Sequence, residues 1–294
     1  MTKFKVGLAL GGGGARGLAH VGVIKTLLKA NIPIDVITGT SIGALIGGMY
    51  AISLDINQVE EKLCLLEHTP EFIDLHFDFF ENEHKFDQNN FYSRTKALLR
   101  EMLLHYMKAR KMGLVTVEKV AKLWPILLPD LPMEKTKIPF AATAMDLVQG
   151  QEVMISKGSI YKAIQASSSI PGIMTPINGD NHQLLVDGGT IDSIPVEAAR
   201  KLGADFIIAV EVQPRLKNSV QLNNGLAVKE RSDFLTNFFL AKHSLKGANV
   251  VISPNVKNYH WAGFHRLKMC IKKGELKTEE MIPKIKELLS LNNG

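Results

Sequence analysis

The chain has 294 residues, room for one large domain or two small ones, and its 46% apolar and 22% charged content is ordinary for a globular enzyme. Two cysteines, Cys64 and Cys270, exclude a disulfide framework and favour a reducing compartment, and no apolar run reaches about 18 residues, which excludes a membrane-spanning helix. The net charge of +6 suits an anionic surface such as lipid headgroups or nucleic acid, although a merely solvated surface accounts for it equally well.

Val6 to Leu10 reads as a buried strand, too short for a secretion signal and needed by the fold. A cytoplasmic protein is therefore expected, with peripheral contact at a membrane left open. Ala15 to Lys29 reads as a helix, Ile34 to Thr38 as a strand, Ser41 to Ile52 and Asn57 to Leu66 as helices. Thr69 to Asn90 has no clean period and reads as irregular loop. Tyr92 to Met112 has the pattern of a basic amphipathic helix, with Leu99, Met102, Leu103 and Tyr106 on one face. Strands follow at Ile138 to Ala144 and Val153 to Ile155, then a short helix from Ile160 to Ala166, and a strand, Leu184 to Val186, ending at Asp187. Pro195 to Leu202, Phe234 to Leu245 and Glu279 to Leu291 read as helices, and Phe206 to Val212 and Val250 to Ile252 as late buried strands. Strand and helix alternate, so the sheet should be mainly parallel with both faces covered. No repeat or linker divides the chain.

Gly39-Thr40-Ser41-Ile42-Gly43 sits between a predicted strand and helix. In that context G-x-S-x-G is a nucleophile elbow: the glycines permit a tight turn that lifts the serine hydroxyl clear, and the following helix directs its N-terminal N–H groups to the same spot. Upstream, Gly11-Gly12-Gly13-Gly14-Ala15-Arg16-Gly17 lies between the first strand and first helix. It admits two readings. Gly12, Gly14 and Gly17 fit the dinucleotide fingerprint of an NAD-dependent oxidoreductase, with Asp35 roughly twenty positions on, although that acid belongs at the far end of the second strand. Alternatively, the loop supplies backbone N–H groups to an oxyanion beside Ser41, since loops after parallel strands emerge on one edge.

A serine nucleophile needs a base. In an α/β-hydrolase order, His243, His260 or His265 would follow an acid such as Asp187. The elbow nevertheless comes very early for that fold. Asp187-Gly188-Gly189 offers a carboxylate at a strand end, and burial beside the serine would raise its pKa towards that of a useful base.

In order, Gly12-Gly13-Gly14-Ala15-Arg16-Gly17, Gly39-Thr40-Ser41-Ile42-Gly43 and Asp187-Gly188-Gly189 resemble the motifs of the patatin-like phospholipases, and Ala166 to Pro176 resembles that family's proline-containing segment. The resemblance implies a three-layer α/β/α sandwich around the sheet. It also implies hydrolysis of lipid acyl esters by a Ser–Asp dyad with no histidine, and neither a cofactor nor a metal is expected. Ser41 would be the nucleophile, Asp187 the base, Gly12, Gly13 and Gly14 the oxyanion donors, and Arg16 a brace for that loop. Where the family often carries asparagine before the proline, this chain has Ser193. The whole chain, 1–294, is expected to form one hydrolase domain, with a motif-bearing core at about 6–254 and a C-terminal extension at about 255–294.

The expected partner is a lipid ester. Two features suit peripheral contact with an anionic membrane: the basic Tyr92–Met112 helix, and an aromatic-basic patch formed by Tyr259, His260, Trp261, Phe264, Arg266 and Lys268. The spacings of His68, His76, His84 and His105 fit no metal site, and no module signature points to nucleic acid. A non-catalytic lipid-binding protein is the remaining alternative, against which both Ser41 and Asp187 speak.

Overall fold

In the computed structural model, which describes residues 4–77, 110–213, 216 and 222–292, regular structure opens with strand β1 (Val6–Leu10). Every residue of this run is buried, as a near-continuous apolar strand requires. A 3-10 turn (Gly14–Leu18) leads into helix α1 (Ala19–Lys29). Strand β2 (Val36–Thr40) follows, then helices α2 (Ile42–Ser53), α3 (Ile56–Leu66) and α4 (Pro70–Ile73). Short helices α5 (Val117–Ala121) and α6 (Trp124–Leu127) precede strands β3 (Phe140–Asp146) and β4 (Gln151–Ile155). Helix α7 (Ile160–Ser168) is followed by β5 (Ile177–Asn178), β6 (Leu184–Asp187), α8 (Val196–Lys201) and β7 (Phe206–Val210). Helix α9 (Gly225–Ser244), β8 (Val250–Ile252) and helix α10 (Leu267–Asn292) complete the order.

The strands form one sheet in the order β5-β6-β3-β2-β1-β7-β8, with β4 also paired to β3. From β3 to β8 the neighbours are parallel. The antiparallel part arises where a tight turn ending at Gly150 (φ +67°) folds β4 back on β3, and where β6 returns beside β3. Alternate side chains serve opposite faces. Leu8, Leu10 and Phe206 join the core beneath α1, α2 and α10, whereas Ala9, Ile207 and Ala209 face α8 and the C-terminal end of α9. The result is the three-layer α/β/α sandwich.

Two boundaries differ instructively from the sequence pattern. Strand β2 runs two residues further than its apolar stretch, because Gly39 pairs with Leu10 and Thr40 with Thr143. Helix α10 starts twelve positions before Glu279 and carries Pro283 inside it. Glycine is a weak helix former, so Gly274 reads as a break. Here it lets α10 lie against α1: a Cβ on Gly274 would sit 2.1 Å from the Ala19 carbonyl oxygen, and one on Gly22 would sit 2.0 Å from that of Ile271. The predicted helix at Tyr92–Met112, apart from its last three residues, lies outside the described residues, as do His84 and His105. No helix among the described residues is long and apolar enough to cross a membrane.

Candidate active site

Ser41 is the residue between β2 and α2, at φ 56° and ψ −123°. A non-glycine residue at such angles stores roughly 1–3 kcal/mol of strain, and something must hold it there. The flanking glycines do so by close approach: a Cβ on Gly39 would lie 2.3 Å from the Gly43 carbonyl, and one on Gly43 would lie 2.2 Å from the Leu10 carbonyl oxygen. The Ser41 N–H donates to Ser167 Oγ at 2.9 Å, and the Ser41 carbonyl accepts from the Leu45 N–H at 3.1 Å, starting α2.

Register brings Asp187 to this serine. Thr143 of β3 pairs with Thr40, and the next residue, Ala144, pairs with Asp187 of the antiparallel β6. The carboxylate therefore emerges one step from the elbow. Its N–H donates to the Ser169 carbonyl at 2.9 Å, and its Oδ1 accepts from the Gly189 N–H at 2.8 Å. Burial pushes the carboxyl up to about 6, and hydrogen bonds from the Ser41 hydroxyl and the Gly189 N–H keep it from rising further. Both residues are buried, Ser41 at 7% and Asp187 at 8% exposure.

The glycine loop is held at several of its polar groups. The Gly11 N–H donates to the Val210 carbonyl, the Ala15 N–H to the Trp261 carbonyl, and Arg16 Nε to the Gly13 carbonyl at 3.1 Å. Buried His20 donates from Nε2 to the Gly11 carbonyl at 2.8 Å, and burial lowers its pKa to about 4, which keeps the ring neutral. Gly14 has φ +58°, a backbone that favours glycine. The Gly12 N–H corrects one expectation: it donates to the Ser193 carbonyl at 2.9 Å, so its single proton is committed to the fold and not to an oxyanion. The Gly13 and Gly14 N–H groups have no hydrogen-bond acceptor among the described residues.

Three supporting contacts were not read from the motifs. Ser167 anchors the elbow, the Ser193 carbonyl anchors Gly12, and the Thr40 hydroxyl bonds both Thr143 Oγ1 and the Asp192 carbonyl. The Ser193 contact runs through its carbonyl, so the serine-for-asparagine departure there does not signal it.

A cavity of about 80 Å³ opens beside Ser41 and is walled almost wholly by apolar side chains, among them Leu45, Leu66, Phe72, Trp124 and Trp261. A larger cavity of about 440 Å³ lies over β4 and α7 and touches neither Ser41 nor Asp187. The dinucleotide reading fails on placement. Asp35 precedes β2, where its Oδ2 accepts from the Val6 N–H at 3.0 Å, at the opposite end of the strand from the glycine loop. His260 uses Nδ1 to accept from the Ala262 N–H at 3.2 Å. Among the described residues no three His, Cys, Asp or Glu side chains group as metal ligands.

A family model described as patatin-like phospholipase matches residues 8–200. The lysophospholipase nte1 of Emericella nidulans is 33% identical over 208 residues, covering 70% of this chain and 12% of that protein. An uncharacterized NTE family protein of Mycobacterium bovis is 32% identical over 208 residues, covering 71% of this chain and 49% of its own. This chain thus spans about one eighth of the fungal relative and about half of the mycobacterial one. Among solved structures, VipD from Legionella pneumophila aligns over 96% of this chain and 67% of its own, with a TM-score of 0.48 and 14% identity.

Proposed function

The chain belongs to the patatin-like phospholipase family, and from that premise we propose that it hydrolyses carboxylic esters of phospholipids or lysophospholipids through a Ser41–Asp187 dyad and an acyl-enzyme. The observation that carries this reading is the pairing of a strained, buried serine with a buried carboxyl, next to a cavity lined by hydrocarbon. Apolar walls suit an acyl chain, which gains about 0.8 kcal/mol for each methylene removed from water.

Ser41 Oγ attacks the ester carbonyl carbon while its proton passes to Asp187. A carboxyl near 6 is a far better match to this task at neutral pH than an ordinary aspartate. The negative charge that develops on the carbonyl oxygen is received by the Gly13 and Gly14 N–H groups, with Arg16 bracing the Gly13 peptide. Collapse breaks the ester C–O bond, and the leaving alcohol takes the proton from Asp187. Water then gives a proton to Asp187 as it attacks the acyl-enzyme, and that proton returns to Ser41 as the fatty acid departs.

The name of the fungal relative supports a lysophospholipid as one substrate class. A panel of phospholipid, lysophospholipid and neutral glyceride esters, with released fatty acid measured for wild type and Ser41→Ala, tests the reading. Release by wild type and none by the variant is expected; equal release by both contradicts it.

A further inference from the structure

Trp261 lies beyond the residues that the family model matches, yet it touches both halves of the site. Its carbonyl accepts the Ala15 N–H at 2.6 Å, at the base of the glycine loop. The contact has no slack: a Cβ on Gly14 would lie 2.3 Å from the Trp261 carbonyl oxygen. Its side chain walls the apolar cavity that runs from Ser41 past Ile42 and Leu45. Ser41, Leu45 and Trp261 line the same cavity, so a chain seated at the serine is enclosed by walls that include Trp261.

Another wall of the cavity is fixed. Trp124 is 3% exposed, and its indole N–H donates to Gln165 Oε1 at 3.3 Å. Trp261 is only half-buried and rests edge-on against Phe77, with ring centroids 6.2 Å apart. Its segment is a tight loop closed by the Gly263 N–H donating to the His260 carbonyl at 3.1 Å, and by the Arg266 guanidinium over the Tyr259 ring at 5.3 Å. These contacts hold the short loop that carries both the Trp261 carbonyl and its indole.

We infer that Trp261 is a positioning residue that also sets acyl specificity: its indole senses the acyl chain, its carbonyl aligns the Gly13–Gly14 oxyanion donors, and filling of the cavity thereby raises turnover. The inference rests on ester hydrolysis at Ser41. Binding energy from a remote part of the substrate then appears in kcat and not only in KM.

The test is a series of p-nitrophenyl esters from acetyl to octanoyl, with kcat and KM measured separately for wild type, Trp261→Ala and Trp261→Phe. In wild type kcat should climb with chain length. In Trp261→Ala the loss of kcat should grow from a few-fold on the acetyl ester to more than about tenfold on the octanoyl ester, with Trp261→Phe recovering part of it. An equal loss at every length, or a loss confined to KM, overturns the inference. A second measurement does not depend on turnover. The chain has two tryptophans, so in Trp124→Phe the emission reports Trp261 alone. Octanoate should change that emission, and no change overturns the inference even if esters are hydrolysed. A change in a protein that cleaves none of the esters leaves the acyl contact standing and instead sinks the hydrolase reading.

Discussion

The Thr40 hydroxyl stands 2.8 Å from the Thr143 hydroxyl and 3.0 Å from the Asp192 carbonyl oxygen. A carbonyl can only accept, so the single Thr40 proton goes to Asp192 and Thr143 donates to Thr40. This buried relay ties β2, which ends at Ser41, to β3 beside Asp187 and to the loop that follows Asp187. Thr40→Val keeps the shape and removes the relay. It is expected to cost about 1–3 kcal/mol of stability by leaving buried polar groups unpaired, and to lower kcat by about tenfold. Thr40→Ser should recover most of both. Urea unfolding and steady-state kinetics check this; unchanged kcat in Thr40→Val would remove the relay from the account.

The proposed role of Asp187 as base links activity to pH. With its carboxyl raised from 3.8 to about 6, the base is ionised only above that value, so kcat/KM should rise with pH through about 6. Stability should move the other way. Between about pH 4 and 6 the folded chain binds more protons than the unfolded chain, so stability falls as pH rises, by about 3 kcal/mol in total for this group. Asp187→Asn should therefore be inactive yet melt higher than wild type at pH 8, with the difference gone near pH 4. Thermal melts at the two pH values decide it.

The strain at Ser41 can be separated from its chemistry. Both Ser41→Ala and Ser41→Gly should lack hydrolysis. At φ 56° only glycine relaxes the turn, so Ser41→Gly should be about 1 kcal/mol more stable than Ser41→Ala. Equal denaturation midpoints for the two variants would mean that the elbow stores no strain.

In the proposed mechanism Arg16 acts through Gly13. Its Nε–H bonds the Gly13 carbonyl in a geometry that a lysine ammonium does not reproduce. Arg16→Lys should lower kcat by about 10–100-fold with KM changed less than about threefold, the mark of a lost interaction made in the transition state. A rise in KM at constant kcat would assign Arg16 to substrate binding instead.

How much of this was legible in the chain depends on whether the cause was local. β1 shows as an unbroken apolar run, and the elbow shows because its two glycines stand four residues apart around the serine, Gly39 being demanded by the Gly43 backbone and Gly43 by that of Leu10. Asp187 shows as an acid at a strand end. Its meeting with Ser41 does not, because that meeting is set by the antiparallel pairing of Ala144 with Asp187, a register between segments far apart in sequence. The same limit explains Gly12. Four neighbouring glycines look equivalent until the Ser193 carbonyl claims one N–H. Trp261 is the extreme case: nothing near it in sequence points to a glycine loop some 250 residues earlier, and only the packing of α10 on α1 brings that C-terminal segment to the site.

The central claim is that Asp187 activates Ser41. Its most direct measurement is the rate and position of covalent modification by a fluorophosphonate, followed by mass spectrometry across pH for wild type, Asp187→Asn and the His243, His260 and His265 alanine variants. The account predicts modification at Ser41, with a rate that rises through about pH 6, falls more than a hundredfold in Asp187→Asn, and is retained in the three histidine variants. Modification of another residue, or an Asp187→Asn rate equal to that of wild type, would contradict it.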